Sequence, residues 1–379
     1  MARKITPKVA VVFLKVTIAL CFSWPPPKTA SRFQVIRFKT LRFLFCMNVT
    51  VLLVPVIYTF YNNDYDLPKL TKLSCLLAAF VQVLLEVTQF ALQYDRLQDL
   101  TSEMEHSFEC AEAHEKDVYQ RYVNKCMPFY AASTLSVFLT AVATAAMPLI
   151  TVNQTFPTEA RYPFDVEREP IRTIIYVHQF IIVWQCFSAV CLGSFVAILI
   201  WFTAARFDIL SQQFRAVNGT REIIICIRQH IKLLRYAQEV IVAIRSVMLS
   251  IIIICTWAFL ASGLTIIGQS TLADKTQFMI LLTAALMEMY ACAWPADHLM
   301  DASTDVAQAV YDSLWYNESV TFQRNIWFIL LRSQTPVAIS VSSFLPAISL
   351  NYYASFVSTA FSYLMTLRVV FLEDDATKD

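Results

Sequence analysis

The stretch NYYASFVSTAFSYLMTLRVV, Asn351 to Val370, is apolar enough for lipid yet carries a hydroxyl or an amide every few residues. Ser355, Thr359, Ser362 and Thr366 follow one another at intervals of four, three and four, which stacks them on one face of an α-helix. Phe356, Val357, Ala360, Phe361 and Leu364 fall largely elsewhere around it. One side suits hydrocarbon and the other suits water or a neighbouring helix. Ser and Thr in membrane helices also bond back to their own carbonyls or link helices, so the stripe alone leaves both a pore and a packing face open.

The rest of the chain says which solvent this helix meets. Hydrophobic residues make up 57% of the 379 residues and charged ones 16%, with a mean hydropathy of +0.52. That balance departs from a soluble domain toward a multi-span membrane protein. Apolar runs at 41–61, 70–92, 128–152, 174–202, 247–268, 278–294 and 336–370 predict seven spans. An earlier run, 9–22, is interrupted by Lys15 and stops at Pro25-Pro26-Pro27. It is short for a span and reads as a helix lying on the membrane surface, with a cleaved signal peptide as the alternative. The run 336–370 would extend ~50 Å as one helix, beyond the ~30 Å hydrocarbon core. Pro346 is expected to kink it, or a break near Thr335-Pro336 to divide it.

Lys and Arg set the orientation. Nine precede residue 43 without an acidic residue, and an internal N-terminus places twenty-two in all on the cytoplasmic side against eight outside. The C-terminus is then extracellular, opposite to a G-protein-coupled receptor. The sequon at Asn153 falls in an external connection and is the expected glycosylation site. Two cytoplasmic connections are long enough to be structured. The first, 95–125, is acidic, and the second, 203–245, is basic with apolar residues at helical spacing. Opposite charge invites them to lie together, two solvated extensions being the alternative. Residues 297–317 read as a further helix below the membrane.

No Gly-rich phosphate loop, nucleophile elbow, metal-ligand spacing or internal repeat is apparent, so neither an enzyme nor a cofactor or metal is expected. Glu86 and Glu288 lie toward the inner half of their spans, where a carboxylate needs a partner or water.

The runs ASTDVAQAVYDSLWY (302–316), FILLRSQTPVAIS (328–340) and FSYLMTLRVV (361–370) resemble the C-terminal third of insect odorant receptors, and FSWPPP (22–27) resembles that family's early Trp-Pro element. The resemblance implies a fold: an all-α membrane protein with seven transmembrane helices, N-terminus cytoplasmic and C-terminus extracellular, and a cytoplasmic helical extension for subunit packing. Its expected parts are a cytoplasmic segment 1–40 with the interfacial helix, spans one to six at 41–295, cytoplasmic anchor helices at 296–335, a pore-lining last helix at 336–372 and an extracellular tail at 373–379. It implies an odorant-binding subunit of an odorant-gated, non-selective cation channel. The expected partners are a small volatile odorant, an odorant co-receptor in a heterotetramer, permeating cations and the lipid bilayer, with no nucleic acid. The place is the plasma membrane of olfactory sensory neurons. The connection between spans four and five is only about forty residues by these limits, short for a co-receptor. A gustatory-receptor-like channel and a secondary transporter are the alternatives, the latter calling for internal repeats.

The same resemblance assigns residues. Ser355, Thr359, Ser362, Thr366, Val369 and Val370 are expected along the pore. Thr366 stands where the family's constriction has an apolar residue. The odorant site is expected in the outer half of the bundle, where depth selects Phe80, Val83, Ala143, Met147, His178, Ile182, Leu281 and Ala285, with Trp257 in the wall. Ordinary helix packing is the competing reading of each.

Overall fold

The computed structural model describes residues 6–61, 67–150, 155–158, 160–166, 168–217, 219–268, 270–313, 315–341 and 346–376. Among these there is no strand. Six helical segments are long and apolar enough to cross a membrane by length and composition: α2 (Arg32–Tyr61), α3 (Leu67–Leu92), α5 (Ala113–Ile150), α6 (Ile171–Val190) running on into α7 (Leu192–Arg215), α8 (Thr220–Ile267) and α9 (Leu272–Tyr311). The remaining helices are α1 (Pro7–Thr17), α4 (Tyr94–Cys110), α10 (Val320–Ser333) and α11 (Leu350–Ala376), the last of which carries the hydroxyl stripe.

Several helices outrun the hydrocarbon. At 1.5 Å per residue the 48 residues of α8 extend roughly 70 Å, more than twice the ~30 Å apolar core, so much of α8 stands clear of it. Gly219 opens α8 at φ +94°, a left-handed geometry that a side chain would resist. The segment expected as a separate helix at 297–317 is instead the end of α9, which continues through Pro295 to Tyr311. Such prolines are tolerated where neighbouring helices re-satisfy the freed carbonyl.

The last helix, α11, expected as a seventh span, differs most from its expectation and is not among the six membrane-length segments of the described residues. It begins at Leu350, whereas the apolar run began at 336. Pro336 and Pro346 lack the amide that a helix interior requires, and they push the preceding residues to extended geometry. The chain between α10 and α11 accordingly finds other partners. Val337 N donates to Ser303 Oγ at 2.9 Å, and Ile348 N donates to Ile339 O at 3.0 Å.

The two oppositely charged connections do pack together. In α4 the apolar residues Tyr94, Leu97, Leu100 and Met104 recur at helical spacing and are buried, leaving the acids outward. Arg96 of α4 pairs with Glu239 of α8 at 2.6 Å, Glu103 of α4 pairs with Arg206 of α7, and Tyr236 Oη donates to Leu100 O at 3.2 Å. Deeper in this extension His230 is buried among Phe207 and Phe214. Burial, and then the nearby Arg332 charge, lower its pKa to about 4. The centre of the fold is α7, whose Phe195, Leu199 and Phe207 have no exposed surface and which packs chiefly on α9.

Candidate functional site

Helix α11 is held by one face. Leu364 is buried between α8 and α9 with Phe259 and Leu282, and its isopropyl head occupies the space that a side chain at Gly263 would take. A Cβ added at Gly263 would lie 1.9 Å from Leu364 Cδ2 and 2.9 Å from its Cγ, so the leucine can sit in this position only against glycine and would have to move for any other residue. Phe259 meets Phe356 and Phe361 edge-on at 6.3 and 5.5 Å. The first turn is pinned below by Leu350 N, which donates to Asp297 Oδ1 of α9 at 3.0 Å.

The opposite face is the hydroxyl stripe. Ser355, Thr359, Ser362 and Thr366 are all exposed in the single chain. Ser362 Oγ donates to Ser358 O and Thr366 Oγ1 to Ser362 O, each at 3.0 Å. A hydroxyl whose proton is committed to a carbonyl presents its lone pairs outward, and such a surface favours cations over anions. Arg368 is exposed; it sits about 200° around the helix from Thr366. The side chains of Val369 and Val370 lie outside the described residues, as does Asn153.

The residues assigned to the odorant site separate by depth. Phe80 and Val83 on α3, Ile182 on α6 and Ala285 on α9 are buried in one continuous core, and Leu281 is half-buried against it. Ala143, Met147 and Trp257 face outward from the single chain, Met147 being 41% and Trp257 46% exposed. His178 sits between these sets. One ring nitrogen is 3.2 Å from the carbonyl oxygen of Asn48, whose own Nδ2 donates to Gln185 Oε1 at 2.8 Å.

Two polar features were not legible beforehand. Residues 155–158 and 160–166 pack on the C-terminal end of α2 and the first half of α6: Thr158 N donates to Gln179 Oε1 at 2.9 Å, Gln179 Nε2 to Tyr162 Oη at 3.1 Å, and Arg161 N to Thr59 Oγ1 at 2.9 Å. Their Phe156-containing sequence carried no periodic signal that would have located them. The second feature is the partner of the inner carboxylates. Gln82 Nε2 donates to Glu86 Oε1 and to Glu288 Oε1, both at 2.8 Å, so one amide bridges the two acids between α3 and α9. The spacing of Gln82 and Glu86, four apart on one helix face, was the available signal. Among the described residues no group of three or more His, Cys, Asp or Glu is placed to hold a metal ion.

Six helical segments of membrane-crossing length and apolarity describe a multi-pass membrane protein. The chain belongs to the 7tm Odorant receptor family, whose model matches residues 66–361. Odorant receptor 13a of Drosophila melanogaster is 24% identical over 262 residues, 60% of this chain and 60% of that protein. Odorant receptor 10 of Aedes albopictus is 24% identical over 218 residues, 55% and 58% of the two. The chain thus spans about 60% of the length of these two relatives. The solved insect olfactory receptor OR5 from Machilis hrabei shares 15% identity with a TM-score of 0.82 over 94% of this chain and 97% of that one. The same receptor in complex with eugenol matches at 0.80 and 16% identity, over 96% and 98%. These likenesses establish the fold, and the family is one of receptors rather than enzymes.

Proposed function

We propose that the chain is the odorant-binding subunit of an odorant-gated, non-selective cation channel, assembled as a heterotetramer with an odorant co-receptor in the plasma membrane of olfactory sensory neurons. One observation carries the reading. Helix α11 is anchored by Leu364 in the Gly263 recess while its hydroxyl face is left open. A single such helix encloses nothing, so a water path requires several subunits arranged around an axis. The cytoplasmic extension of α4, α7, α8 and α10 then lies on the inner side with the N-terminus, as the positive charge distribution favours. Thr366, Val369 and Val370 form the outer constriction in this arrangement, and Thr366 makes it less apolar than a ring of aliphatic residues.

The odorant site lies in the outer half of the bundle, with Phe80, Val83, Ile182, Leu281 and Ala285 as its wall. Eugenol in the OR5 complex supports a small volatile ligand. His178 reaches such a ligand only through the ring nitrogen not engaged with Asn48. Ala143, Met147 and Trp257, being outward in the single chain, meet lipid or a neighbouring subunit.

The test is to express the chain alone and with a co-receptor and to record cation current under a panel of volatiles. Odorant-evoked current with the co-receptor is the expected result. Cysteines introduced at Ser355, Thr359 and Ser362 should react with aqueous thiol reagents in the assembled, stimulated channel, and their protection throughout would refute the pore assignment.

A further inference from the structure

Beneath α1 lies a cavity of about 70 Å³, distinct from the outer-half site. Phe13 and Leu14 of α1 roof it, Tyr122 and Tyr130 of α5 and Trp201 and Phe202 of α7 form its sides, and none of its described lining residues is charged. The part of α5 that faces it precedes or only just enters the apolar run 128–152, which places the cavity at the inner end of the bundle.

Two of the three tyrosine hydroxyls and the indole N–H in its walls are already spent on protein partners, which leaves the Tyr119 hydroxyl and Ser194 Oγ. Tyr130 Oη donates to Ala291 O at 2.6 Å and accepts from Trp201 Nε1 at 3.3 Å, and the Tyr122 hydroxyl is hydrogen-bonded to Asp208. A water inside would find at most the minimum of the two to four polar partners it needs, so this half-open, mostly apolar space favours apolar molecules. Size narrows the class. Where one water needs roughly 10–15 Å³, this space suits about five or six non-hydrogen atoms, a single ring rather than a lipid chain. Seven aromatic side chains line it, offering faces and edges to such a ring.

Its wall also touches what holds α11. Trp201 packs against Trp294 and His298 of α9 at 5.0 and 5.1 Å, and Asp297, beside His298 in the same turn, accepts the bond from Leu350 N at the start of α11. We propose that this cavity is a second binding site, for a small uncharged aromatic molecule, whose occupancy biases α11 through α9. The effect on α11 rests on the channel reading, whereas the binding does not.

The test uses the full chain in lipid nanodiscs with fluorobenzene as probe, read by ¹⁹F saturation transfer. Ser194→Phe, which fills the cavity from α7, should weaken the interaction at least tenfold. Phe13→Ala, which raises the roof, should admit 1-fluoronaphthalene that the unaltered chain excludes. A folded Ser194→Phe chain that binds fluorobenzene as before overturns the site. If that variant does not fold, Phe13→Ala decides, and failure to gain the larger probe overturns it equally. With the co-receptor present, Ser194→Phe should shift the ligand-free current at least threefold, and unchanged current beside lost binding overturns the coupling to α11. A complex that conducts under no condition refutes the channel reading instead, with the ¹⁹F result still deciding the site.

Discussion

Gly263→Ala tests the tightest of the contacts that set which way α11 faces. The added Cβ would stand 1.9 Å from Leu364 Cδ2, 2.8 Å from Cδ1 and 2.9 Å from Cγ, where carbon atoms rest at about 3.5–4.0 Å. Rotation about the Cβ–Cγ bond moves both Cδ atoms and rotation about the Cα–Cβ bond moves Cγ as well, so Leu364 must leave its present rotamer or α11 must shift by roughly 1 Å, and either weakens the contact. Overpacking of this kind costs about 1–3 kcal/mol, and the better helix propensity of alanine returns up to about 1 kcal/mol. The net loss of roughly 0–3 kcal/mol falls on the packing of α11 against α8. Thermal unfolding of the purified chain should therefore move little, while ligand-free current of the proposed channel should change several-fold, since each 1.4 kcal/mol is about a factor of ten. Leu364→Ala by itself leaves a cavity costing about 2–5 kcal/mol, and in the Gly263→Ala background the new methyl part-fills it. A double-mutant cycle should show coupling above about 1 kcal/mol. If the two changes add within about 0.5 kcal/mol, the packing argument for α11 is wrong.

Three further outcomes follow from the polar contacts. Folded His230 gives up its proton near pH 4 against about 6.5 unfolded, so between these values the unfolded chain binds more protons and stability falls as pH is lowered. The loss should reach about 2 kcal/mol at pH 5, and His230→Phe should flatten the melting profile from pH 7 to pH 5. Gln82→Met should destabilise by about 1–3 kcal/mol because it leaves Glu86 and Glu288 face to face without their shared donor, and Glu288→Gln in that background should recover part of it, both read from chemical unfolding. Arg96→Ala should cost less than about 1 kcal/mol, since the Arg96–Glu239 pair is open to solvent. Arg206→Ala should cost more in the same assay, because that guanidinium also lies over the rings of Phe202 and Tyr236 at 5.6 and 4.9 Å.

Composition, the apolar runs and the prolines were enough to place the membrane-length helices, because lipid demands ~20 apolar residues per crossing and Pro removes an amide wherever it falls. The four hydroxyls at helical spacing were likewise legible, since covalent helix geometry alone puts Ser355 and Thr366 on one face. The true start of that helix, Leu350, required seeing Ile348 and Val337 satisfied by other partners. Helix rotation was beyond reading. A span that is apolar all round carries no period to say which side is inward, and lipid is no less apolar than a neighbouring leucine. Phe80 therefore proved buried and Trp257 exposed although both have the same claim in sequence. Long-range pairings, Gln82 with Glu288 or Asp297 with Leu350, were set only when packed helices brought distant residues within hydrogen-bond reach, because those bonds depend on neighbours that local sequence does not specify.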